Sequence, residues 1–117
     1  MKSILVVDDS RVSRKILINM LEKSGYSIAG EAIDGNDGIA QYKKLKPDVV
    51  TMDITMPELN GMEALKQIKE YDPDAKVIII TAAAQLEKRT LAKENGAFAF
   101  VTKPYDNKEI LDAIEKC

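Results

Sequence analysis

The stretch Lys46 to Gly61, KPDVVTMDITMPELNG, decides the fold. Pro47 and Asp48 close a loop, and Val49, Val50, Thr51 and Met52 follow as a short apolar, β-branched run. Such a run reads as a buried strand. It ends on a carboxylate, Asp53. An unpaired charge buried inside a strand is costly or is forced neutral, so Asp53 belongs where the strand emerges. Pro57, Asn60 and Gly61 then supply loop and turn chemistry. A carboxylate therefore stands at the carboxyl end of a buried strand, beneath a loop. In open α/β sheets ligands bind at that edge. Taken singly, an Asp there is more often a helix cap or turn former than a reactive group, and the rest of the chain decides.

Working outward, Ser3–Val7 (SILVV) is another buried-strand run, ending in Asp8-Asp9, with Ser10 as the N-cap of the next segment. Val12, Ile16, Leu17, Met20 and Leu21 recur at helical spacing, which puts Arg14, Lys15, Glu22 and Lys23 outside, and Gly25 fits the left-handed C-cap. Tyr26–Ala32 alternates weakly and reads as an edge strand. Asp34 or Asn36 caps a helix over 37–46, weakened by Gly38 and stopped by Pro47. After Asp53, Asn60 with Glu63 forms a capping-box pattern for a helix with Met62, Leu65 and Ile68 on its apolar stripe. Asp72-Pro73-Asp74 breaks that helix. Lys76–Thr81 (KVIIIT) is a fourth strand, and 85–95 a sparsely apolar helix with chiefly Leu86 and Leu91, ended by Gly96. Ala97–Thr102 (AFAFVT) is a fifth strand, in which Phe98 reads as a core aromatic. Asp106 with Glu109 caps a last helix with Ile110, Leu111 and Ile114 inward.

Strands alternating with helices, most of the strands continuous apolar runs, predict a three-layer α/β domain with a parallel sheet covered on both faces. The 117 residues, 45% of them apolar and 31% charged, suit one soluble domain with a sizeable core. The net charge of −2 and the pI near 5.2 give no electrostatic case for nucleic acid or an anionic membrane. The N-terminal apolar run is too short for a signal peptide or a span. The single Cys117 excludes an internal disulfide and a thiolate zinc site, and the absence of histidine excludes Ser-His triads and His-ligated metal. Any metal must then be hard and oxygen-liganded.

In a parallel sheet all carboxyl ends share one rim. That gathers Asp8-Asp9, Asp53, Thr81 and Thr102-Lys103 from across the chain. Three neighbouring carboxylates repel unless a cation sits among them, and Mg²⁺ is the natural candidate. Lys103 supplies positive charge opposite the acids, and Thr81 a hydroxyl donor. Such a set suits a phosphoryl group carried on, or transferred through, a carboxylate.

The motifs VVDDS (6–10), DVVTMDITMPELNG (48–61), IIITA (78–82) and FVTKP (100–104) together resemble the response-regulator receiver domain, in particular its stand-alone chemotaxis members, over the whole chain, 1–117. The resemblance implies a flavodoxin-like (βα)5 fold with strand order 2-1-3-4-5. It implies Asp53 as phosphoacceptor, Mg²⁺ (or Mn²⁺) held by Asp8, Asp9, Asp53 and the Thr55 backbone carbonyl, and Lys103, Thr81 and Ala82 about the phosphoryl group. Phe100 matches the family's aromatic switch position, without the hydroxyl of the tyrosine common there. Thr55 and Ala83 match positions that tune the lifetime of the phosphorylated state. A histidine kinase is implied as donor and a target such as a flagellar motor switch protein as receiver, with a phosphatase possible. The implied protein is cytoplasmic and no enzyme beyond its own phosphotransfer and dephosphorylation. A face made by the 85–95 helix, the fifth strand and the last helix is implied to meet partners, although that helix also reads as plain solvated surface.

Within this reading a phosphorelay intermediate, or a receiver excised from a larger regulator, is the alternative; the expectation is of no output domain after the fifth helix. A haloacid-dehalogenase-type aspartyl phosphatase also combines a strand-end Asp, a Thr, a Lys and Mg²⁺. Its general acid is an Asp two residues after the nucleophile, where this chain has Thr55, and its paired acids follow the nucleophile, where Asp8-Asp9 precede it. A flavodoxin needs a phosphate-cradling first loop, and Asp8-Asp9 there repel phosphate.

Overall fold

The apolar runs pair as a parallel sheet. In the computed structural model, which describes residues 2–54, 61–82 and 88–117, β1 (Ser3–Val7), β2 (Ser27–Ala32), β3 (Val49–Asp53), β4 (Val77–Ala82) and β5 (Ala99–Lys103) lie in the order β2-β1-β3-β4-β5. Every neighbouring pair is parallel. The connections carry α1 (Arg11–Lys23), α2 (Gly35–Leu45), α3 (Gly61–Tyr71) and α4 (Arg89–Glu94), and α5 (Asn107–Glu115) follows β5. This is the flavodoxin-like order. Of the helix expected over 85–95, residues 85–87 lie outside the described residues, as do Thr55, Pro57, Asn60 and Ala83; of Ala82 only the backbone is described.

Alternate residues of each strand serve opposite faces. Leu5, Val7, Val50, Met52, Val77 and Ile79 pack with side chains of α2, α3 and α4. Ile4, Val6, Val49, Ile78, Ile80 and Val101 pack with α1 and α5. The central strand β3 is buried throughout, which explains its continuous apolar run. The helix ends follow their caps. Ser10 Oγ accepts from the Ser13 N–H at 3.2 Å, Asp34 Oδ1 from the Asp37 N–H at 2.8 Å, and Glu109 Oε1 from the Asp106 N–H at 3.3 Å.

Two glycines are placed by close approach. A Cβ on Gly61 would stand 2.5 Å from the Asp53 carbonyl oxygen, so α3 begins directly against the end of β3. A Cβ on Gly38 would stand 3.2 Å from both Val7 methyls. The residue that weakens α2 as a helix thus lets it lie close on β1.

Three expectations about facing need correction. Val12 and Ile16 are 69% and 63% exposed, while Leu17 and Leu21 are buried. The inward stripe of α1 is 14, 17, 18 and 21, spaced i, i+3, i+4 and i+7. Arg14, expected outside, therefore turns inward, and its side chain is only 12% exposed. Phe98 is not a core aromatic: β5 starts after it, and its ring is 39% exposed with Lys76 Nζ 5.3 Å from its centroid. On α4 the buried residue is Ala92, and Leu91 is exposed.

Candidate functional site

The topology brings the polar strand ends to one rim. Asp8 follows β1 directly, Asp53 is the last residue of β3, Thr81 lies near the end of β4, and Lys103 ends β5. The register sets Asp53 beside Ile80, and Thr81 beside Thr102. Asp8 and Thr81 are buried, Asp53 is 4% exposed, and Asp9 is open to solvent.

Asp8, Asp9 and Asp53 each place a carboxylate oxygen within 4.8 Å of the other two. Across from them, Lys103 Nζ donates to Asp53 Oδ2 at 3.1 Å and stands 3.7 Å from Asp8 Oδ2. The electrostatics are those of crowded acids. Burial pushes the Asp8 carboxyl up from its ordinary value; the Ser10 N–H that donates to Oδ1 at 2.9 Å pulls it down, and the Asp53 charge pushes it up again. Burial disfavours the Lys103 ammonium, but the charge and hydrogen bond of Asp53 outweigh that and hold it above the ordinary lysine value. Three hard oxygen donors at this spacing fit Mg²⁺ or Mn²⁺. The fit lies in the donor set itself, since Lys103 offsets only part of the charge.

Thr81 Oγ1 is fully buried and, among the described residues, has no hydrogen-bond partner. A buried hydroxyl left so is costly, and an anionic oxygen arriving beside Asp53 would give it an acceptor. Phe100 pairs in register with Ile79, one step along the same sheet face from Thr81, and is half-buried against the α2–α4 layer. The Arg89 guanidinium lies 5.9 Å from its ring centroid.

The structure thus brings together Asp8, Asp9, Asp53 and Lys103, with Thr81 and Phe100 on adjoining strands. Thr55 and Ala83 fall outside the described residues. Sequence reasoning missed Arg14, whose Nη1 donates to the Asp8 carbonyl oxygen at 2.8 Å and whose Nε donates to Glu31 Oε1 at 3.0 Å. The i, i+3, i+4, i+7 stripe through Leu17, Ile18 and Leu21 carried the signal.

Comparison with known proteins agrees with this geometry. The response regulator receiver domain profile matches residues 4–115. A chemotaxis protein CheY of Thermotoga maritima is 44% identical over 115 residues, covering 98% of this chain and 96% of that protein. A Bacillus subtilis protein named CcdB is 47% identical over 116 residues, covering 99% and 97%. Among solved structures, a chain of the CheX–CheY–BeF3–Mg complex from Borrelia burgdorferi superposes with a TM-score of 0.93 at 33% identity, covering 98% of this chain and 87% of that one. With the acidic cluster, the 2-1-3-4-5 sheet and relatives matched over nearly their full length, the chain belongs to the response regulator receiver domain family of two-component signalling and is CheY-like.

Proposed function

We propose that this protein accepts a phosphoryl group on Asp53 from a partner histidine kinase and thereby changes the affinity of the α4–β5–α5 face for a downstream target. The observation that carries the reading is the Asp8–Asp9–Asp53 cluster with Lys103 across it at 3.1 Å. The transfer balances simply. The phosphorus–nitrogen bond of the donor's phosphohistidine breaks, an Asp53 carboxylate oxygen forms the new bond to phosphorus, and the leaving imidazole takes up a proton. The chain has no histidine, so the donor brings its own. Asp8, Asp9 and Asp53 would hold Mg²⁺ or Mn²⁺, with the Thr55 carbonyl added by resemblance; the ion supplies charge neutralisation at the phosphoryl oxygens. Lys103 pairs with the same oxygens, and Thr81 donates a hydrogen bond to one of them. Dephosphorylation is attack of water on phosphorus, which breaks the bond between phosphorus and the Asp53 oxygen, returns the carboxylate and releases inorganic phosphate. The chain turns over no other substrate.

The target reading rests on the chemistry of the α4–β5 face. Arg89, Lys93, Ala97, Phe98, Ala99 and Phe100 line a cavity of about 250 Å³ with two cations, two aromatic rings and no carboxylate. In a chain of net charge −2, that patch is complementary to an acidic segment bearing an apolar anchor. Relatives named as chemotaxis proteins favour a chemotaxis output, such as a flagellar motor switch protein, and no described helix is long and apolar enough to cross a membrane.

The test is direct. Incubated with Mg²⁺ and acetyl phosphate, the wild-type protein gains one phosphoryl group by intact-mass measurement. Asp53→Asn gains none. Equal uptake by the variant overturns the assignment.

A further inference from the structure

The acidic rim has to be held against its own repulsion. Three carboxylates lie within 4.8 Å of one another, and the turn Asp8-Asp9-Ser10 carries two of them. Within that turn, Asp8 is tied by both its N–H and its carbonyl. The Asp8 N–H donates to the Ala32 carbonyl of β2 at 3.1 Å. The Asp8 carbonyl accepts from Arg14 Nη1 at 2.8 Å. The second tie is charge-assisted and comes from a nearly buried side chain, 12% exposed. Arg14 is itself aimed by its other edge, where Nε donates to Glu31 Oε1 on β2 at 3.0 Å. Glu31 lies on a strand clamped from the far side, its carbonyl accepting from Gln41 Nε2 of α2 at 2.8 Å. One guanidinium therefore bridges the acidic turn and the edge strand, using the fixed angle between its donors.

We propose that Arg14 is a positioning residue for the rim: it anchors the Asp8 carbonyl so that both turn carboxylates face the cation position beside Asp53. This rests on reading the rim as a Mg²⁺ site. It makes a prediction opposite in sign to simple electrostatics. Removing a positive charge near a cation site should tighten cation binding by Coulomb's law. Losing the anchor should weaken it, because the carboxylates then have to be gathered when the ion binds.

The experiment titrates the unphosphorylated full chain with Mg²⁺ by calorimetry, comparing wild type, Arg14→Lys, Arg14→Gln and Glu31→Gln. Arg14→Lys keeps the charge and remains usable if Arg14→Gln folds poorly. Its single ammonium cannot span the two acceptors at the guanidinium's angle. The Mg²⁺ dissociation constant is expected to rise about tenfold in both Arg14 variants, the scale of one lost charge-assisted hydrogen bond. Glu31→Gln keeps an acceptor oxygen for Nε and is expected to stay within about twofold of wild type, as a half-exposed ion pair contributes little by charge alone. Amide hydrogen exchange on the metal-free protein gives an independent readout. Protection of the Ser10 N–H, which donates to Asp8 Oδ1 at 2.9 Å, is expected to fall in the Arg14 variants while that of β3 and β4 holds. Unchanged or tighter Mg²⁺ binding in Arg14→Lys overturns the proposal, and so does a general loss of protection, which would make Arg14 a merely structural tie. A wild-type chain that binds no Mg²⁺ removes the metal reading, and the positioning role falls with it.

Discussion

Two buried threonine hydroxyls on neighbouring strands, Thr51 and Thr81, have no hydrogen-bond partner among the described residues, yet their positions give them different meanings. Thr81 reaches the rim, where an anionic oxygen can satisfy it. Thr51 lies beneath Asp53 on β3, in register with Val6 and Ile78, both part of the apolar layer under α1 and α5. No ligand can reach it there. A desolvated hydroxyl without a partner costs about 1–3 kcal/mol. Thr51→Val keeps the side-chain shape and removes that cost, so it is expected to raise unfolding stability by about 1 kcal/mol. Urea denaturation would show this as a higher midpoint at an unchanged slope, with phosphoryl uptake at Asp53 unaltered. A lower midpoint would mean that the hydroxyl is bonded in solution. The acids, the lysine and Thr81 were legible from sequence because each ends an apolar run and parallel topology gathers such ends. Thr51 was not, since a β-branched residue within a strand gives no sign of whether its hydroxyl is satisfied.

Between elements, the opposite edge of the sheet is closed by a contact of another kind. The Tyr42 hydroxyl at the end of α2 donates to Asp72 Oδ2 at 2.7 Å, just past α3. The Tyr42 ring meets that of Tyr71 edge-on, with centroids 6.4 Å apart, and Lys43 Nζ sits 5.1 Å from the Tyr71 centroid. Burial first, and then Asp72, hold the Tyr42 hydroxyl above the ordinary tyrosine value. The protonated phenol is thus favoured in the folded state. Its contribution is complete below pH about 10 and is lost as the pH rises beyond that. Tyr42→Phe is expected to be less stable than wild type at pH 7, with the difference shrinking above pH about 10. Thermal melts across that range check it, and a constant difference would show that the bond contributes nothing. At this scale the sequence specifies which elements exist more plainly than how they face. Val12, Ile16, Leu17 and Leu21 all fit a helical period, but period alone does not fix phase. The 12-16 stripe and the 14-17-18-21 stripe compete, and burial of Leu17 and Leu21 selects the second, turning Arg14 inward. From sequence Phe98 reads as core because AFAFVT is one apolar run, whereas the strand begins at Ala99, after the positive-φ Gly96 has ended α4.

For the whole molecule, the question is how the phosphorylation proposed at Asp53 would reach the α4–β5–α5 face. Thr81 and Phe100 lie on the same face of adjacent strands, with Ile79 the register partner of Phe100 and Thr102 that of Thr81. The Arg89 guanidinium lies over the Phe100 ring at 5.9 Å from its centroid, and Arg89 lines the groove on that face. We propose that a phosphoryl group draws the Thr81 hydroxyl toward it, that the Phe100 ring turns into the space released, and that Arg89 is thereby freed for an acidic partner. This is a population shift between two packings, and a partner drives it only by binding one of them better. A charge-assisted hydrogen bond from Thr81 is worth about 1.5–3 kcal/mol, which moves an equilibrium roughly ten- to a hundred-fold. That is enough for a graded switch and short of an all-or-none one. Thr81→Ala leaves the three acids and Lys103 in place, so it is expected to accept phosphate at Asp53 still and to lose most of the gain in partner affinity. The measurement compares the affinity of a downstream partner for wild type and Thr81→Ala, each with and without Asp53 phosphorylated. If phosphorylation strengthens binding equally in both, Thr81 is a bystander and the coupling runs elsewhere.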